Sequence, residues 1–346
     1  MLKDSSLYVT SALISSAVNF LTLPLFTRYL TIEDYGLVAL FILFGNVCSS
    51  IFSFGLQSAA YRFYFKFPIE IFRVINTTII LFVLGVFFLV GMFILHPNSE
   101  RISLYIFDNA ISSKMLMWAF LNGCFNYLFI YFSHMLAAQK RAATATYNAI
   151  AHVLLNVILT TYFLLVHSYT YLAPIYAISI TNFIIVISTV FTNRNLFTWH
   201  FSVGRLKSAI FFSYPEVPNI LIGLIYAAFD KGMLNKHTGL GSVGHYEFGT
   251  KFANFLKVFM DAINKSWAPF FMENAERRED DSKSIIVNRF YDLTFLFMFF
   301  GLGVAYFTEE ALWILTTEDY YQAKYVTPLI IMYYMVGILG FLSVHQ

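Results

Sequence analysis

The residues able to do chemistry in this 346-residue sequence are few and concentrated. Between residues 245 and 270 an otherwise apolar stretch carries Glu247, Lys251, Asn254, Lys257, Asp261 and Lys265. At about 100° per residue, all but Lys257 fall within an arc of about 80° on a helix, and Lys257 flanks that arc. Phe248, Phe252, Phe255, Phe259 and Ile263 lie off it. The stripe is about 27 Å long at a helical rise of about 1.5 Å per residue, nearly the hydrocarbon thickness of a bilayer. Facing lipid, Lys251, Lys257 and Asp261 would cost about 3 kcal/mol each, roughly 9 kcal/mol together. A helix lying on the membrane surface, or pairing of Asp261 with Lys257 or Lys265, would relieve that cost. The length and register of the stripe favour the wall of a water-filled cavity. Three lysines against two acids make such a cavity suited to an anionic ligand. Asp261 and Glu247, with Asp230 upstream, are candidates for ion coupling, because a carboxylate inside a membrane changes protonation with its access to water. Their alternative role is to neutralise nearby lysines.

The rest of the sequence says what must position this stripe. Hydrophobic residues make up 58% of the chain and charged residues 12%, about half the charge of a soluble domain. This excludes a soluble globular enzyme and a disordered chain, and two cysteines exclude a disulfide scaffold. Cys48 and Cys124 read as small core residues in apolar helices. The net charge of +2 gives no reason to expect a nucleic-acid partner. What remains is an all-α, polytopic transmembrane protein. Ten stretches of about 20 apolar residues are readable, at 6–28, 36–60, 74–95, 113–137, 144–167, 170–191, 209–229, 245–270, 286–307 and 325–344. Short loops join them, as at 96–101, and two longer ones run over 192–208 and 273–283. With a cytoplasmic N-terminus, thirteen Lys and Arg fall on the inside and six on the outside, so both termini are expected in the cytoplasm. No His/Cys cluster has metal-ligand spacing, and no nucleotide loop or nucleophile–base arrangement is present. No cofactor, metal or covalent catalysis is expected.

The second span carries a milder polar face, with Asn46, Ser50, Ser53 and Gln57 on one side of a helix. A shift of 208 residues lays it on the eighth span. Gly36 then meets Gly244, Phe44 meets Phe252 and Asn46 meets Asn254, while Ser53 and Gln57 meet Asp261 and Lys265. Six spans lie between equivalent positions, so the copies share one membrane orientation, as in parallel repeats with a substrate site between the halves. The expected architecture is therefore two related bundles around a central cavity. A six-helix bundle occupies 1–200, and a second, with spans seven to ten, occupies 201–346.

Several motifs resemble one family. Leu23-Pro24-Leu25-Phe26-Thr27-Arg28-Tyr29-Leu30 with Asp34-Tyr35-Gly36 is similar to the first-helix signature of bacterial polysaccharide-biosynthesis membrane proteins. These are the O-antigen and oligosaccharide-lipid flippases of the multidrug/oligosaccharidyl-lipid/polysaccharide (MOP) exporter superfamily. Phe54-Gly55-Leu56-Gln57 through Tyr64 resembles the end of the family's second helix, and Gln139-Lys140-Arg141 the basic turn after its fourth. Pro215 to Pro218, Asp230-Lys231, and Ala262 through Phe271 resemble its seventh helix and the end of its eighth. The resemblance runs the length of the chain. The family has twelve helices or more, so helices eleven and twelve are expected to be missing and the second bundle incomplete. Lys231 stands where the family often has Arg, and Glu216 where it is usually apolar.

The resemblance implies a flippase rather than an enzyme. It would move undecaprenyl-diphosphate-linked oligosaccharide repeat units from the cytoplasmic to the periplasmic leaflet of the bacterial inner membrane, for O-antigen or capsule. Alternating access would come from rocking of one bundle against the other. Its partners would be the lipid-linked oligosaccharide, the bilayer and polysaccharide polymerase machinery. Lys251, Lys257 and Lys265 are then the first candidates for the diphosphate or acidic sugars, with Asn254, Asn46 and Gln57 as polar lining. Arg28 and Lys231 sit at outer helix ends, able to meet a head group or to anchor the interface. Arg62 sits at the inner leaflet, off the polar face, with the same two readings. An ion-coupled multidrug antiporter of the same superfamily is the alternative. An integral-membrane enzyme such as a polymerase or acyltransferase is a third class; polymerases of such a pathway typically carry a large periplasmic loop, and none exceeds about 20 residues by this reading.

Overall fold

A computed structural model describes residues 2–107, 111–167, 169–277 and 282–343. The protein is all-helical over the described residues, and each of the ten expected spans falls on one helix or on successive ones as far as it is described. The helices are α1 (Leu2–Leu21), α2 (Leu23–Tyr29), α3 (Ile32–Ser53), α4 (Leu56–Lys66), α5 (Ile69–Val90) and α6 (His96–Phe107). There follow α7 (Ser113–Ala138), α8 (Ala142–Val166), α9 (Leu172–Thr192), α10 (Val203–Ser213) and α11 (Val217–Thr238). The last are α12 (Leu240–Arg277), α13 (Ser282–Tyr306), α14 (Thr308–Leu315) and α15 (Ala323–Ser343). Among the described residues, nine helices are long and apolar enough to cross a membrane, so the protein is a multi-pass membrane protein. α12, the eighth expected span, is not among the nine, because its charged stripe offsets its phenylalanines.

Local chemistry explains several departures from the simple span reading. The second span is not one helix. It breaks between α3 and α4 at Phe54 (φ 49°) and Gly55 (φ 68°), both left-handed. Ser53 stabilises the break, its Oγ donating to the Ser50 carbonyl (2.8 Å) and accepting from the Gly55 amide (3.3 Å). The expected loop at 96–101 is helical instead. A π-turn over Gly91–Leu95 carries α5 into α6, and Pro97 falls in the first turn of α6. The helix is continuous from α5 through α6, so Pro97 follows a π-turn rather than a free helix end. Helix α12 runs on to Arg277, into the expected 273–283 loop, and 278–281 lie outside the described residues. The basic turn at 139–141 closes α7 with a Schellman motif. Lys140 (φ 56°) takes the left-handed position, the Arg141 amide reaches the Leu136 carbonyl (2.9 Å), and the Lys140 amide reaches Ala137 (3.0 Å).

The chain forms two compact units. One comprises Met1–Ser11 and Glu33–Val243, the other Ala12–Ile32 and Gly244–Gln346. Helix α12 continues from the first into the second. The division at 200/201 therefore stands as a proposal about repeat halves, distinct from these units.

In the first unit, helices α3 to α7 and α9 to α11 contribute to an apolar core that includes Phe41, Leu56, Phe72, Ile79, Tyr127 and Tyr131. Helices α3 and α7 cross so closely that a Cβ on Gly123 would overlap the Gly45 carbonyl. Buried amides tie the helices together. Asn182 on α9 donates to Asn122 on α7 (3.0 Å) and bonds His152 on α8 (2.8 Å), while Tyr131 donates to Asn76 (2.7 Å).

In the second unit, α12, α13 and α15 share a core of Leu256, Met260, Ile263, Trp267, Phe297 and Ile331. The end of α2 is held there too. Thr317 Oγ1 donates to the Thr27 carbonyl (3.1 Å) and Tyr320 Oη to that of Leu30 (2.8 Å). These bonds satisfy carbonyls that a helix end leaves open. Gly244 lies against the Ile32 carbonyl where a Cβ would not fit.

Candidate functional site

Within the second unit, α1, the start of α2 and α12 enclose a polar cleft of about 300 Å³. Helix α12 contributes Lys251, Asn254, Phe255, Lys257, Val258 and Asp261; Ser16, Asn19, Phe20 and Leu23 face them. Four of the polar residues singled out in the sequence thus line one space. Lys251 and Lys257 are exposed, and Asn254 and Asp261 half-buried. Helical spacing sets this geometry, since Lys251, Asn254 and Asp261 recur on one face and Lys257 stands beside it. The cleft holds two cations and one carboxylate, a net positive space with an amide beside it.

Asn254 is oriented by its neighbour. Its Oδ1 accepts a hydrogen bond from Tyr334 Oη on α15 (3.0 Å). The same arrangement occurs in the first unit, where Asn46 Oδ1 accepts from Asn126 Nδ2 on α7 (3.0 Å). The two bonds obey the 208-residue shift at both ends, since Asn46 maps to Asn254 and Asn126 to Tyr334. The repeat read from one helix face therefore extends to its hydrogen-bonding partner.

The remaining candidates lie elsewhere. Glu247 is half-buried on α12, beyond the residues lining the cleft, and the Lys265 side chain lies outside those described. Arg28 is exposed in the last turn of α2. In the first unit, Arg62 stacks its guanidinium over the Phe212 ring at 5.0 Å. Gln57 sits past the helix break, with its Oε1 buried and no hydrogen-bond partner. Asp230 is exposed and Lys231 half-buried on α11. Asn46 is committed to Asn126 and Ser53 to the break, so the polar face read along the second span is not a continuous lining.

Sequence reasoning missed the opposite wall. Ser16 and Asn19 are three residues apart, the spacing that puts both on one side of α1. That spacing was the available signal, though nothing in it tells which helix α1 meets. Tyr334 was legible only through the 208-residue shift applied to α7. Among the described residues no group of His, Cys, Asp and Glu is arranged to hold a metal ion.

Comparison with known proteins gives the family. Residues 1–275 match the family described as polysaccharide biosynthesis protein. No curated protein sequence matches the chain. Among solved structures, the fold is similar to an inward-facing multidrug resistance MATE family transporter of the MOP superfamily (TM-score 0.68, 12% identity), over 95% of this chain and 80% of that one. It is also similar to a MATE transporter in the straight conformation (TM-score 0.54, 13% identity, 99% and 80% covered) and to an outward-facing one (TM-score 0.52, 12% identity, 99% and 78% covered). The fold is thus MATE-like.

Proposed function

The chain belongs to the polysaccharide biosynthesis protein family, a family of membrane transporters, and from that premise we propose that it flips undecaprenyl-diphosphate-linked oligosaccharide units from the cytoplasmic to the periplasmic leaflet of a bacterial inner membrane. The product would be a surface polysaccharide such as O-antigen or capsule. The observation that carries this reading is the cleft in which Lys251 and Lys257 stand within a helix otherwise rich in phenylalanine. Sugars and a diphosphate cannot cross hydrocarbon unaided. Cations held in a polar cleft replace part of the hydration the phosphates lose, at about 1.5–3 kcal/mol for each charge-assisted hydrogen bond. Asn254, fixed by Tyr334, presents its amide to the same space. Lys265, Arg28 and Lys231 would serve the head group at other points of the path, Arg62 at the inner leaflet, and Asn46 and Gln57 as polar lining of the other half. Asp261, with Glu247 and Asp230, would couple ions to the cycle. The termini would lie in the cytoplasm, and polymerase machinery would receive the unit.

Asp261 also supports a second reading, an ion-coupled small-molecule antiporter, because a carboxylate in a cleft of a membrane-spanning unit marks an ion or substrate path. The balance of charge separates the two. A cleft for cationic drugs would be acidic, and this one is net basic.

The test is deletion and complementation in the native bacterium. Loss of surface polysaccharide with lipid-linked units accumulating on the cytoplasmic face, restored by the intact gene, supports the flippase. Unchanged polysaccharide with altered drug tolerance favours the antiporter.

A further inference from the structure

An open apolar groove of about 1050 Å³ adjoins the polar cleft within the same unit, with Phe299, Leu302, Tyr306 and Phe307 exposed along it. Phe20 and Phe255 line both spaces. Their ring centroids are 6.1 Å apart, and Phe20 also meets Phe252 at 5.8 Å, so the aromatic cluster is a partition between a polar compartment and an apolar one. Beyond it the wall is carbon, with Phe252 from α12, Phe299 and Gly303 from α13, then Phe307 and Ala311. Its volume matches the upper end of small-molecule sites, about 300–1,000 Å³. A Cβ on Gly303 would meet nothing within 4 Å, so this glycine leaves the groove open rather than permitting a tight helix crossing.

A sugar or free diphosphate would gain nothing from an apolar groove. The combination fits an amphiphile with an anionic head beside Lys251 and Lys257 and a hydrocarbon chain starting at the Phe20–Phe255 partition. Resting on the reading given above, we propose that this groove seats the first isoprene units of the polyprenyl chain while the diphosphate occupies the adjoining cleft. Because the chain comes from lipid as apolar as the groove, its seating gains from shape and dispersion contacts rather than from removal of water, and the aromatic rings offer faces to the double bonds. The chain would be held by α12, α13 and α14 at the point where it leaves the head group, rather than lying wholly in bulk lipid.

The test uses the full-length protein in nanodiscs and two probes, a long-chain polyprenyl phosphate and inorganic diphosphate. Gly303→Leu fills the groove from α13, and Ala311→Leu fills it from α14 should the first variant melt early. Gly85→Leu, at another glycine whose Cβ would meet nothing within 4 Å, controls for added bulk. The groove-filling variants are expected to weaken polyprenyl phosphate at least tenfold and leave diphosphate unchanged, while Lys251→Ala/Lys257→Ala weakens both. Wild-type affinity for polyprenyl phosphate in both groove-filled variants would overturn the chain site and leave the flippase reading standing. Failure of either probe to bind, or binding indifferent to the lysine substitutions, would overturn the anionic-cargo reading itself and the chain site with it.

Discussion

Helices α3 and α12 occupy equivalent places in a repeated pattern, and they put it to different use. Both hold an asparagine whose Oδ1 accepts a hydrogen bond from the residue 80 positions further on, Asn126 for Asn46 and Tyr334 for Asn254. Around that shared fastening the side chains diverge. Lys251 corresponds to Leu43, Lys257 to Ser49 and Asp261 to Ser53 under the 208-residue shift. In the first unit these three are buried, at 8%, 3% and 2% exposure. In the second the same positions line a cleft. The α3–α7 crossing uses Gly45 and Gly123, and their counterparts Ala253 and Ile331 are side chains packed in the core of the second unit. On the proposed repeat, the cleft lies where the second unit has charged residues at positions that are packed core in the first.

Swapping residues between the copies breaks this comparison most severely. Leu43→Lys places an uncompensated charge in a packed core and is expected to destabilise the first unit by about 3–5 kcal/mol, read as loss of folded protein in detergent. The reciprocal Lys251→Leu should keep its melting temperature and lose polysaccharide output in complementation. Equal stability of the two variants would deny that the positions differ in environment. Gly123→Ile, which installs the second unit's residue at the α3–α7 crossing, should cost about 1–3 kcal/mol or more through overpacking; thermal unfolding reads it. Gly55→Ala is expected to lose about 1 kcal/mol, because only glycine holds φ 68° without strain. An unchanged melting temperature would show that the α3–α4 break does not need the left-handed residue. The smallest effect should come from Asn46→Ala, about 0.6 kcal/mol for one interhelical bond in a membrane. Asn254→Ala should lose as much stability and, in addition, affinity for anionic ligand. That second loss is what distinguishes the cleft copy from the structural one.

Much of this was legible in the sequence. Spans of Phe, Leu and Ile announce membrane helices by length alone, and three charges deep in one such span cannot be ignored at about 3 kcal/mol each. The register of Lys251, Asn254 and Asp261 could be read because helical periodicity is fixed. The opposite wall could not. Ser16 and Asn19 are unremarkable in an apolar helix until α1 is seen against α12. The break at Phe54–Gly55 was hidden because apolar composition continues across it. With it went the assumption that Ser53 and Gln57 extend one polar face. Helix α6 was mistaken for a loop because Pro97, Asn98 and Ser99 carry turn chemistry, yet the helix runs on past the proline, directly after the π-turn at Gly91–Leu95.

The proposed flippase carries an anionic lipid-linked head group across the bilayer on the cations of the α12 cleft. The most direct test of that role is the flipping rate of a fluorescent polyprenyl-diphosphate-linked sugar in proteoliposomes holding wild-type protein or Lys251→Gln/Lys257→Gln, matched for folded protein. Loss of two charge-assisted contacts of about 1.5–3 kcal/mol each predicts a fall of about 100-fold or more. Flipping by the double variant at the wild-type rate would contradict it.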